Sequence, residues 1–128
     1  MNPNKLEEIL RLHKLWLEGD KDGKCADLSY ANLSYADLEG ANLRGADLSH
    51  ADLTLTDLEC ANLACANLYM ADLTHATLTH ANLTKADLYM ANLTKANLSD
   101  ANLTEANLSE ADLSDACLAD ANFKSTIF

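Results

Sequence analysis

Residues that interrupt regular structure are scarce in this chain. It holds one proline and four glycines in 128 residues, and the proline is Pro3. Nothing from Ala26 onward is therefore forced to break by a proline ring. The glycines, Gly19, Gly23, Gly40 and Gly45, form no phosphate-cradling loop. Positive charge is also short: nine Lys and Arg stand against twenty Asp and Glu, for a net charge of −11. Such a surface repels phosphates, which argues against direct nucleic-acid binding, and attracts basic protein surfaces. No apolar run is long enough to cross a bilayer. Glu7, Glu8 and Arg11 interrupt the first apolar residues, so no signal peptide is expected. The four cysteines, at 25, 60, 65 and 117, make no CxxC motif. Free thiols in a reducing, cytoplasmic setting are expected.

What the chain does have is a period of five. Leucine stands at 28, 33, 38 and every fifth position through 118, and Phe123 and Phe128 end the series. Alanine stands two places before each, except at Thr56 and Thr126. Asp or Asn mostly separates the two, and Ser or Thr mostly follows the leucine. With leucine as position i, the position i+2 is free and often charged, as at Lys85, Lys95, Asp100, Glu105 and Glu110.

Five matches neither the helical period nor the strand period. Positions i−2 and i are two apart, so in an extended segment both face one way. Position i+2 would follow them inward, yet charges at that density cannot be buried unpaired. The chain must turn once per unit. Short straight sides joined by corners make a coil around a core of leucine and alanine. Leu28, Leu33, Leu38, Leu58, Leu78, Leu98, Leu118 and Phe123 belong inside it. Backbone groups then pair with the coils above and below, about 4.8 Å away.

The Ala-(Asp/Asn)-Leu-x-x array over residues 26–128 resembles the pentapeptide repeat family. The resemblance implies an all-β solenoid, a right-handed quadrilateral parallel β-helix with four units per coil. About five coils result, a rod roughly 25 Å long. It also implies a protein without assigned activity. Some members mimic duplex DNA and bind DNA gyrase, giving fluoroquinolone tolerance; they are longer, dimerise through a C-terminal element and in some cases carry interrupting loops.

Residues 1–25 read as a separate capping helix and short linker, and 26–128 as the β-helix. The helix is expected over residues 3 to 18, with Asn4 as its cap and Gly19 ending it. Leu6, Ile9, Leu10, Trp16 and Leu17 form its apolar face, and Trp16 is expected to plug the open end of the first coil. At the other end, Phe123, Ile127 and Phe128 form an apolar terminal coil. It either closes the rod or pairs with a second copy as a homodimer.

Four histidines and four cysteines call for a metal check. On a coil of twenty, Cys60, His80 and Asp100 share a column, with Cys65 one corner away. Outward-facing corners diverge, so no metal is expected. No catalytic set comes with a pocket, so neither enzyme activity nor a cofactor is expected. Tyr69 and Met70 stack under Tyr89 and Met90, joined by Tyr30 and His50, as a surface strip. The function expected is a non-catalytic structural or interaction rod with an unidentified protein partner and no membrane. The alternative is a DNA-mimicking gyrase inhibitor.

Overall fold

The computed structural model describes every residue from Met1 to Phe128. Parallel bridges join Asp27 to Asp47, Asn32 to Asp52, and so on to Asn107 with Ile127, always twenty residues apart. Four five-residue units therefore make one turn of the coil, and a residue sits directly beneath the one twenty places before it. Each bridge is a single rung, because the chain turns before a longer strand can form.

The rungs are dense in hydrogen bonds. The Leu28 N–H donates to the Asp47 carbonyl at 2.7 Å, and the Asp47 N–H to the Ala26 carbonyl at 3.0 Å. At the corner, the Tyr30 N–H donates to the Ser49 carbonyl at 2.9 Å. Within the corner the Ala31 N–H donates back to the Leu28 carbonyl at 3.1 Å, closing a β-turn. The same set recurs down the rod, so little of the interior backbone is left unpaired.

The third residue of each turn is left-handed, as the tightness of the corner demands. Every i+2 position from Tyr30 to Ser125 has a φ between 53° and 70°. Only Gly40 and Gly45 among them lack a Cβ. Left-handed backbone costs an L-residue roughly 1–2 kcal/mol. The corner is held there by bonds on either side of it. The i−1 carboxylate or amide locks the turn: Asp27 Oδ1 accepts the Ser29 N–H at 3.1 Å and its hydroxyl at 2.6 Å. Asn82 does the same for Thr84, at 3.0 and 2.6 Å. This is why short polar residues fill i−1 and hydroxyls favour i+1.

Leucine and alanine fill the interior as one cluster of 31 buried residues. Leu58, Leu78 and Leu98 are fully shut from water, and Leu28, Leu33 and Leu38 nearly so. Thr56 is also fully buried, and its hydroxyl donates to the Leu33 carbonyl at 2.8 Å. Leu118 and Phe123 are only half-buried, contrary to their expected place in the core. They lie in the last coil, which has no coil beneath it.

One helix, α1 (Pro3–Leu17), precedes the coil. Asn2, not Asn4, is its cap: the Asn2 Oδ1 accepts the Asn4 N–H at 2.9 Å, and Pro3 opens the first turn. A Schellman turn ends it. Gly19, at φ 77°, donates to the Trp16 carbonyl, and the Asp20 N–H donates to the Leu15 carbonyl at 2.9 Å. The returning linker passes so close that a Cβ on Gly23 would lie 2.1 Å from the Trp16 nitrogen. Only glycine fits there. Leu6, Ile9 and Leu10 pack on the first coil, and His13 completes their face.

Trp16 does not plug the coil. It is 42% exposed, stacks on His13 with ring centroids 5.4 Å apart, and lies against Gly45 at the edge of the rod. The plug is His13, which is fully buried and whose Nδ1 accepts the Ala26 N–H at 3.0 Å. Trp16 sits one turn nearer the C-terminus of α1, and there the helix end overhangs the corner instead of the core. Leu17 is half-buried beside the same corner and is not part of the packed face.

Candidate functional site

With a coil of twenty, each outward position belongs to one of four sides. Side one holds residues 26–30, 46–50, 66–70, 86–90 and 106–110; the next units in order make sides two, three and four. The interior is closed by leucine. The two principal hollows lie outside the coil, beside α1. The larger, about 380 Å³, is a groove between the helix and the first coil, lined by Leu6, Leu10, Tyr35 and their neighbours. The smaller lies between Trp16, Arg44, Gly45 and Cys65. Neither gathers a nucleophile, a base and an orienting acid.

The strongest surface feature is on side one. Tyr30 stacks on His50 with centroids 4.5 Å apart and planes within 5°. His50 meets the edge of Tyr69 at 5.2 Å, and Tyr69 stacks on Tyr89 at 5.9 Å. Met70 and Met90 flank these rings and are exposed. The rings lie on top of one another because the coil repeat brings them within van der Waals range.

The repeat accounts for nearly the whole chain in a comparison of families as well. A family model described as pentapeptide repeats, in eight copies, matches residues 24–59, 61–100 and 91–128. The chain belongs to the pentapeptide repeat family. Proteins of this family form right-handed quadrilateral β-helices and are generally structural or binding proteins. Rfr23, a pentapeptide repeat protein from the cyanobacterium Cyanothece 51142, is 42% identical, with TM-score 0.70 over 72% of this chain and 63% of that one. Another, alr5209 from Nostoc PCC 7120, is 38% identical, with TM-score 0.65 over 76% of each chain. HetL from Nostoc sp. strain PCC 7120, involved in heterocyst differentiation regulation, is 34% identical. Its TM-score is 0.51, over 81% of this chain and 60% of HetL. This chain thus spans less than two thirds of Rfr23 and of HetL. No curated protein matches.

Charge in this pentapeptide repeat protein is not spread evenly, and reading five residues at a time hides it. Side three carries Asp37, Glu39, Asp57, Glu59, Asp100 and Asp120 and no lysine or arginine. Side four carries Arg44, Lys85 and Lys124 against Glu105 alone, and its i−1 positions are asparagine in every coil from Asn42 to Asn122. Three sides are acidic and the fourth is net positive. The signal was present in the sequence, but only when it is written twenty residues to a row.

The histidine and cysteine positions lie apart. His80 Nε2 is 4.0 Å from Asp100 Oδ2, a long surface pair, while Cys60 stands above them and Cys65 on the next corner. No three such groups are placed to share an ion. All four cysteines are free and exposed. Ser99 and the backbone at Ala119 lower the Cys117 thiol below its usual value, whereas burial and then Asp47 and Asp27 raise Cys25. No helix is long and apolar enough to cross a membrane.

At the base, Phe123 and Phe128 pack at 5.7 Å with tilted rings. Phe123 is half-buried, while Ile127 and Phe128 are exposed. Ile127 takes an i−1 position and so joins the outward column of side one, bridged to Asn107. The N–H groups of Leu113, Leu118 and Phe123, which their counterparts one coil above direct downward, have no backbone acceptor.

Proposed function

We propose that the protein is a non-catalytic rod that presents ladders of side chains to a protein partner in the cytoplasm. In this reading residues 1–25 are cap and linker, and 26–128 are the working surface. The observation that carries it is the contrast between a leucine-filled interior and an exposed aromatic ladder on side one. A rigid coil with a filled core offers faces rather than clefts. The free cysteines fit a reducing compartment. The test is affinity capture from native lysate with mass spectrometry. A specific protein held at low salt and released at about 0.5 M salt supports a charged contact surface. An empty column overturns the reading.

The base of the last coil is proposed as a self-association surface. Its unpaired backbone groups and the exposed Phe128 favour a two-fold contact with a second copy.

A DNA-mimicking gyrase inhibitor is the second reading, favoured by the acidity of three sides. The positive fourth side weighs against it, because a duplex is anionic all round. A supercoiling assay decides: no inhibition at micromolar protein removes it.

A further inference from the structure

Side one differs from the other three in what it combines. Like side three it has no lysine and no arginine, while Asp27, Asp47, Asp87 and Glu110 stand on it. It also holds three of the four tyrosines and both methionines of the repeat. Rings and carboxylates therefore stand in neighbouring columns on one narrow side. The carboxylates are fixed in place. Asp47 Oδ1 accepts the Ser49 N–H at 2.9 Å and the Asn67 amide at 3.2 Å. Asp87 Oδ1 accepts the Tyr89 N–H at 3.0 Å and the Asn107 amide at 3.1 Å. Asp27 Oδ1 is bound by Ser29, which keeps its carboxyl below the usual range. In all three the Oδ2 has no partner in the protein. The ladder's outermost ring, Tyr30, is 73% exposed, and below Tyr89 the column continues with Ser109, which has no ring to cover it.

We propose that side one binds an extended, arginine-bearing segment of a protein partner, lying along the rod axis over Tyr30, His50, Tyr69 and Tyr89. This rests on the reading of the chain as an interaction rod and names the chemistry of its partner. A guanidinium is the group that suits both parts of the strip. It stacks on the ring faces left open at the ends of the ladder, and its planar fork takes a carboxylate that has a free oxygen. An acidic or neutral segment would leave those carboxylates desolvated without a cation. The shape calls for an extended chain. The strip is one side wide, while its four rungs cover about 14 Å, the reach of four or five extended residues. Side three is more acidic but has no tyrosine and a single ring, His80, and side four repels cations, so neither offers a ladder of rings beside free carboxylates.

The probe is a short synthetic peptide alternating arginine with serine, compared with versions carrying lysine or glutamate in place of arginine. Calorimetric titration gives affinity, and methyl NMR on the wild-type protein gives location. The arginine peptide is expected to bind, lysine to bind more weakly, and glutamate not at all. The Met70 and Met90 methyl signals are expected to shift while that of Met1 stays. The double variant Tyr69→Ser, Tyr89→Ser is expected to weaken binding about tenfold or more. Serine already fills the same column at Ser29, Ser49 and Ser109, so this variant keeps the fold, which circular dichroism checks. Tyr35→Ser, on side two, is the control and is expected to change nothing. Absent binding, an unmoved Met70 and Met90, or equal weakening by Tyr35→Ser overturns the proposal. A partner captured from lysate alongside a failed arginine peptide overturns this inference alone. An empty capture column overturns the rod reading beneath it.

Discussion

Leu78 shows how much one residue carries. It is fully buried, with leucines in the coils above and below. Leu78→Ala is expected to cost about 2–5 kcal/mol in urea unfolding, because stacked backbones cannot collapse into the gap. The corners give the opposite prediction. Leu55 is an apolar residue at φ 57° with no role inside the rod. Leu55→Gly is expected to stabilise by about 1 kcal/mol, seen as a higher melting temperature. His13 gives a pH dependence. Burial holds its pKa below 6.5, with the Arg44 backbone carbonyl pulling weakly upward. The unfolded chain takes up this proton first as pH falls, so the stability His13 contributes is present above pH 6.5 and lost progressively below it. Denaturation at a series of pH values checks this, and His13→Gln is expected to flatten the profile there. The buried leucines were legible in the sequence, since period and side-chain chemistry agreed. The left-handed corners were not, because residues as unlike as Leu55, His75 and Glu110 occupy them. There the corner's bonds decide the backbone and the residue type does not.

Among the elements, α1 was legible as an amphipathic helix but its docking was not. Helical spacing places Leu6, Ile9, Leu10, His13 and Trp16 on one broad face, and Trp16 is the bulkiest. The coil is narrower than that face. It accepts the first four and leaves Trp16 overhanging Gly45. Sequence periodicity reports the direction of a side chain and not the width of what it meets. The last coil poses the same problem without a helix to answer it. In sedimentation the wild-type protein is expected to be a dimer and Phe128→Asp a monomer with unchanged circular dichroism. A monomeric wild type removes the base as a self-association surface.

For the whole molecule, the coil repeat sets which residues meet. The aromatic strip could be expected only once the family resemblance supplied four units per coil; the recurrence of Tyr69-Met70 as Tyr89-Met90 agrees with that number, but other echoes fall at five and ten residues. The division of charge among sides could not be seen in five-residue units, where acids look evenly spread. Deleting residues 71–75 is expected to leave a folded rod, since every leucine and alanine keeps its place in the core. It also carries Tyr89 one quarter of the way round, away from Tyr69. Circular dichroism should remain that of a β-helix, and binding of the arginine peptide should be lost.

That behaviour follows from the twenty-residue coil, and it gives the molecule an address system. A residue's side is fixed by the remainder when its number is divided by twenty. Gain or loss of five residues leaves the core intact but moves every later side chain to the neighbouring side. Gain or loss of twenty lengthens or shortens each side without mixing them. Surfaces on such a rod can thus be reassigned wholesale by duplication or deletion of single units, with no core residue replaced. A lineage of these chains would keep one shape while its faces are dealt out anew.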